Sequence, residues 1–433
     1  MAFNLKESRP VKGLVITNTE DSKFTTETII IRFITPVEPV FSQHRVAAIS
    51  MLTDGCADYP NKTLLSKKLA GLYGAHLFSF SYRVGNSQVS GLTISSIGDK
   101  YTINGENITV ECAELLLKCI FEPAMENGRF SEEIFSNGKL DLINKVKSSA
   151  DNRHSYALKR AAELAFEGEP SAINLIGELE TAEAITNDQL VSCYRSMLKD
   201  AYISISFCGG GTNKEAQKLI ADRMIRFASE RNYTGDDLKG LAAVSHCKAK
   251  PEYVCETIEQ SQSKLVMMLK TESSDEFALK LAGLIYGGTP FSRLFMNVRE
   301  KLSLCYYCQT SNIEGKGTML VDSGVGPGNE RIACDEILAQ LKAMQNGDIT
   351  EEELEDTKRY YIGSLRSVQD YSDDQNSWFF SRFVKGDLLT PQQAEELVKE
   401  VTLERVKNAI CSYTLDTVYM LLPDNTEGGN ENE

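Results

Sequence analysis

One order of elements occurs twice in this chain, and that duplication limits the fold more than any other feature. Thr26–Pro36, TETIIIRFITP, is dense in β-branched residues and stops at a proline, so it reads as a strand. A helix from Ser42 ends at Gly55, and a second, capped by Asn61 or Thr63, closes at Gly74. Two strands, about Ala75–Val84 and Gln88–Ser96, follow across a Gly-Asn-Ser turn. Further on the series starts again. Ser263–Lys270 reads as a strand, a helix over Asp275–Tyr286 runs out at Gly287-Gly288, another helix follows, and strands lie near Leu304–Thr310 and Gly317–Ser323. Gly55 and Gly287 hold equivalent places in the two series. The expected fold class is α+β: a duplicated pair of domains, each an antiparallel-rich mixed sheet packed with helices.

Between the two series, Val110–Phe121 and most of residues 131–199 carry helical periodicity, Ala201–Cys208 reads as a strand and Asn213–Ala228 as a helix. Residues 230–251 lack periodicity and carry Gly, Pro and charge, which suits a linker. The expected domains are therefore 1–229 and 252–423, followed by a tail, 424–433, of disordered composition. Helices are expected over Glu330–Met344 and from about Thr350, with a last strand at Thr417–Leu422. KLAGLYG (68–74) and KLAGLIYG (280–287) look alike but fall on different helices in this register, so they do not define the repeat.

The formal net charge of −15 argues against broad nucleic-acid binding and against an anionic membrane surface. The first 25 residues are polar and no apolar run is long enough to span a bilayer, so a cytoplasmic location is expected. Eleven scattered cysteines, an odd number, suit reduced thiols better than a disulfide framework.

Chemistry first shows at Tyr286–Tyr307, YGGTPFSRLFMNVREKLSLCYY. Phe291, Leu294, Phe295, Val298 and Leu302 share one face of an amphipathic helix, and Arg299 sits off that face near its end. Tyr306 opens the next strand seven residues on, so the two polar groups can reach one cleft. Cys305 and Cys308 make a single C-x-x-C, whose members face opposite sides of a regular strand. His76, His154 and His246 lack partners at ligand spacing, and Gly209-Gly210-Gly211 lacks the rest of a phosphate-binding loop.

The stretch RLFMNVREKLSLCYY, with DGCADYP and LAGLYGA in the first series, resembles the insulinase/pitrilysin-type zinc peptidases, in particular the short two-domain branch that includes the processing peptidases. The resemblance covers roughly residues 15–420 and implies one half of a clamshell that closes on peptides. Catalytic members carry H-x-x-E-H on the first helix, two imidazole ligands and a general base, with a Glu ligand from a later helix. Counting back from Gly55 sets the ligand and base positions on Val46, Ile49 and Ser50, and the later slot near Lys145. None of these residues is a zinc ligand of that set, so no metal is expected in this chain and no autonomous hydrolysis. Arg299 and Tyr306 match the family's Arg/Tyr pair, which holds the substrate backbone and stabilises charge at the scissile carbonyl. The resemblance thus implies a non-catalytic subunit of a heterodimer, completing the site of a homologous zinc-bearing partner on a peptide substrate. The alternative is a scaffold or peptide-binding protein that kept the fold alone.

Overall fold

The computed structural model describes residues 5–211, 213–231, 233–235, 238 and 240–424. The tail expected to be disordered lies, from 425 on, outside the described residues. In chain order the strands are β1 Leu5–Val11, β2 Leu14–Glu20, β3 Thr26–Pro36, β4 His76–Val84, β5 Ser87–Ile97, the short hairpin β6 Met125–Glu126 and β7 Arg129–Phe130, β8 Tyr202–Gly209, β9 Glu252–Ile258, β10 Ser263–Lys270, β11 Cys305–Ile313, β12 Thr318–Val325 and β13 Thr414–Pro423. Contacts divide the chain into two compact units. The first is Met1–Lys147 with Ile173–Leu241 and Val368–Thr390; the second is Ser148–Ala172 with Ala242–Ser367 and Pro391–Glu433.

In the first unit the sheet order is β1-β2-β8-β3-β5-β4, and in the second it is β11-β12-β10-β13-β9. Read from the other edge, β9-β13-β10-β12-β11 repeats β2-β8-β3-β5-β4 strand for strand. The parallel pairs, β2/β8 and β9/β13, hold the same place, and the remaining matched pairs are antiparallel. The duplication in the sequence is therefore a duplication of mixed α+β sheets. Helix Lys62–Gly71 starts on an Asn61 side chain that accepts from the Leu64 amide, while Glu276–Gly283 is the first helix of its own series, so the two KLAGL runs are not equivalent.

The units do not follow sequence order. The division at Leu241/Ala242 falls within the expected linker, but residues 148–172 and 368–390 each belong to the unit of the other half. The reason is burial. β3 is buried on both faces, so it needs cover twice. Ile29, Ile31 and Phe33 join the main core with helices Phe41–Met51 and Ile108–Phe121. On the other face Arg32 donates to Ser206 Oγ (2.9 Å) and Asn376 Oδ1 (3.0 Å) and stacks 4.4 Å from the Phe380 ring, so helix Ser372–Lys385 covers it. The second sheet repeats the device: Ala157, Ala161 and Ala165, one helical turn apart on Arg153–Ala165, pack with Phe166 against Val266, Met268, Tyr419 and Leu421. Small residues at that spacing let helix and sheet approach closely.

Several features differ from the sequence reading, the unexpected strand β9 and the β6–β7 hairpin among them. β1 and β2 arise in a polar stretch: β1 is largely exposed and held by backbone pairing to β2, while β2 pairs with β8 and buries Leu14 and Val15. Helices Ser372–Lys385, Pro391–Lys399 and Leu403–Cys411 were not expected. The helix over the key stretch is wound as a π-helix, Leu294–Lys301, with a second π turn at Leu284–Gly288. The wider winding leaves Leu294 and Val298 buried but Phe291 and Leu302 exposed, against the apolar face that a 3.6-residue period implies.

Candidate functional site

The two π-wound segments and β11 enclose a cleft of about 340 Å³ in the second unit, lined by Gly287, Thr289, Phe295, Arg299, Tyr307 and Tyr360 among others. The glycine break is needed here. A Cβ on Gly287 would lie 2.7 Å from Thr310 Cγ2 and 2.9 Å from Leu294 Cδ1, so only glycine lets the turn rest on the strand. Tyr286 is fully buried beneath it and donates to the Ile337 carbonyl (2.8 Å). Arg293 is forked on Glu353, with both contacts 2.9 Å, and also reaches Asp348 (2.9 Å). This ties helix Glu351–Ser367, which carries Tyr360, to the cleft wall. Tyr360 meets Phe291 edge-on at 5.8 Å.

Among the described residues Arg299 is the single charged residue lining the cleft. Its guanidinium stacks 4.7 Å from the Phe295 ring, and its nearest carboxylate is Glu300 at 3.6 Å. Tyr306 lies outside the lining and is 64% exposed. Cys305 pairs with Val325 and Tyr307 with Gly324, so Tyr306 is the extra residue of a β-bulge on the edge strand. The bulge turns Tyr307 into the cleft. Tyr307 donates to Asp322 Oδ1 (3.2 Å), and Asp322 Oδ2 lies 2.7 Å from His154 Nε2. Burial, with Asp322 beside it, raises the Tyr307 hydroxyl well above its usual range, so it stays protonated and donating. Sequence reasoning missed both Tyr307 and His154; the partners are 168 residues apart and no local signal joins them.

The same bulge corrects the reading of the C-x-x-C. Cys305 and Cys308 are both buried, and the extra residue between them brings their thiols together instead of to opposite faces. The hydrogen bond from Cys308, aided by Ser323 and the nearby Arg299 charge, lowers Cys305 below the usual thiol value despite its burial. All eleven cysteines are free thiols.

The zinc-motif positions lie in the first unit. Val46 and Ile49 face the core at 9% and 1% exposure, and Ser50 Oγ is turned back to the Ala47 carbonyl (3.2 Å). Lys145 is exposed on helix Glu132–Asp151. His44, the nearest imidazole, is buried, which lowers its proton affinity. Two aliphatic side chains, a committed hydroxyl and a cation do not fit zinc. Among the described residues no group of three His, Cys, Asp or Glu could hold a metal ion.

Residues 184–361 match the Peptidase M16 inactive domain. A curated relative, the probable inactive metalloprotease YmfF of Bacillus subtilis, is 24% identical over 96% of this chain and 97% of its own length. Residues 184–361 thus belong to the insulinase-type (M16) peptidase family. The chain is peptidase-like along its length and lacks the family's zinc motif. The uncharacterized zinc protease YmxG of Bacillus subtilis is 27% identical over 56% of each chain. In fold, this chain matches a conserved protein from Enterococcus faecalis (TM-score 0.86, 24% identity, 99% and 100% of the two chains). It also matches an M16 inactive domain from Pseudomonas fluorescens (TM-score 0.76, 17% identity, 97% and 98%). Among the described residues no helix is long and apolar enough to cross a membrane.

Proposed function

We propose that this chain is the non-catalytic subunit of a heterodimeric metallopeptidase, holding substrate peptide for a homologous partner that bears the zinc. The observation that carries this reading is the half-exposed Arg299 guanidinium as the lone charge among the described residues of an open cleft, in a chain whose zinc-motif positions Val46 and Ile49 lie in the core. A fixed cation is suited to a peptide carbonyl as charge develops on it, and the exposed Tyr306 phenol at the bulge offers a second donor. Edge strand β11 leaves backbone groups free to pair with an extended peptide. Eleven free thiols favour the cytoplasm for this work.

The test is peptide hydrolysis by this chain, by a zinc-motif homologue from the same source, and by the two mixed, with Arg299→Ala and Tyr306→Phe in the mixture. Activity in the mixture alone is expected. Arg299→Ala should lower turnover about 100-fold if one oxyanion donor is lost, without loosening assembly. One observation favours a second reading, a binding protein without a part in cleavage: Tyr306 stands outside the cleft that Arg299 lines. Unchanged turnover in both variants would select it.

A further inference from the structure

The chain is acidic overall, with a net charge of −15, yet among the described residues the only charged side chain on the cleft is a cation. Stacking on Phe295 fixes the plane of the Arg299 guanidinium and leaves its N–H edges for a planar, two-oxygen acceptor. Glu300, 3.6 Å away and half-exposed, is too far for a tight fork. Thr289 lines the same cleft at 5% exposure, and its hydroxyl has no hydrogen-bond partner. A buried hydroxyl left unpaired is costly, and a ligand oxygen would relieve it. The remaining wall is aromatic and apolar: Phe295, Tyr307, Tyr360 and Pro290. At about 340 Å³ the cleft is near the small end of ligand sites, which run from roughly 300 to 1,000 Å³, so it suits the end of a peptide better than its length.

We infer that the cleft binds a peptide C-terminus, its carboxylate on Arg299 and Thr289 and its last side chain, aromatic or branched, against Phe295 and Tyr360. This rests on the peptide-holding role proposed above and sets its ligand class. Substrates would then be held by a free terminus and not through a long internal segment. Carboxylate recognition also means that basic side chains on a peptide gain nothing at this cleft.

The experiment uses the full chain and fluorescein-labelled octapeptides ending in Phe, as the free acid, as the C-terminal amide, and as an amide with Glu at the penultimate position. Binding is read by fluorescence polarisation at low and high salt. The acid should bind about tenfold to 100-fold more tightly than the plain amide, the difference expected for one charge-assisted pair. That preference should disappear in Arg299→Ala, shrink in Arg299→Lys, weaken in Thr289→Val and fade with salt. Circular dichroism and mixed-complex assembly separate lost binding from lost folding. Recovery of affinity in the Glu-bearing amide would overturn the terminal assignment in favour of a side-chain carboxylate. Equal binding of acid and amides, abolished by Arg299→Ala, would overturn carboxylate recognition and leave peptide holding intact. No binding of any peptide, with mixed-complex turnover insensitive to Arg299→Ala, would overturn both.

Discussion

Replacing Lys270 with methionine should loosen the second sheet from its covering helix. Lys270 is 2% exposed, and its ammonium lies 3.2 Å from the fully buried Asp416 carboxylate. It donates to the Ala165 carbonyl (2.6 Å) at the end of helix Arg153–Ala165 and to the His246 carbonyl (3.0 Å), and sits 5.1 Å from the Phe166 ring. Methionine keeps the length and removes all of these. Breaking a buried pair by removing one partner costs about 3–5 kcal/mol, because the other charge stays buried. Asp416 keeps hydrogen bonds from the Lys248 amide (2.9 Å) and Thr417 Oγ1 (2.7 Å), which holds the loss toward the lower end. Adding Asp416→Asn to Lys270→Met removes the orphaned charge and should restore about half of the loss. Hydrogen exchange by mass spectrometry over Ser263–Lys270 in urea reads the opening free energy of this sheet without assuming two-state unfolding of the chain. A loss under about 1 kcal/mol in the single variant, or a double variant no better than the single, would refute the assigned role of the pair.

Other consequences can be checked alongside. Ile49→Glu buries a carboxyl in the first core and should cost at least about 3 kcal/mol in denaturant melts without conferring zinc binding; a tolerated change would mean that the helix face is not core. Gly287→Ala should destabilise by about 1–3 kcal/mol and slow peptide binding, through its clash with Thr310 and Leu294. Burial raises the Asp54 carboxyl above its ordinary value although Lys62 lies 3.0 Å away. Its charged form is therefore disfavoured in the fold, a penalty present at neutral pH and relieved as pH falls through the raised pKa. Asp54→Asn should raise the melting temperature at pH 7 and lose that advantage in acid, and an advantage that grows in acid would contradict the assignment.

What the sequence made legible was what periodicity and punctuation control. β3 and β10 have the expected bounds, and Asn61, one of the two expected candidates, caps its helix. The two series proved equivalent strand by strand because each strand must find the same neighbours to bury its face. Where tertiary demands overrode local ones, the sequence was silent. The π winding of Leu294–Lys301 has no composition signal; it follows from fitting Gly287 against Thr310 and burying Leu294 and Val298 together. The bulge at Tyr306 likewise depends on the register with β12, and it decides that Tyr307, not its neighbour, joins Arg299 on the cleft. β1 went unseen because it is largely exposed and held by backbone pairing, which leaves little mark on side-chain pattern.

The exchange of helices between the two halves also bears on how the protein is made. The first sheet is complete in sequence once β8 has been synthesised at Gly209, but its second cover, Ser372–Lys385, follows more than 160 residues later. During synthesis the β3 face around Arg32 therefore waits open while the entire core of the second sheet except β13 emerges. Neither half can be finished alone. A gene split at 241/242 would give two fragments, each missing the helix that the other encodes, so only their co-expression should yield covered sheets.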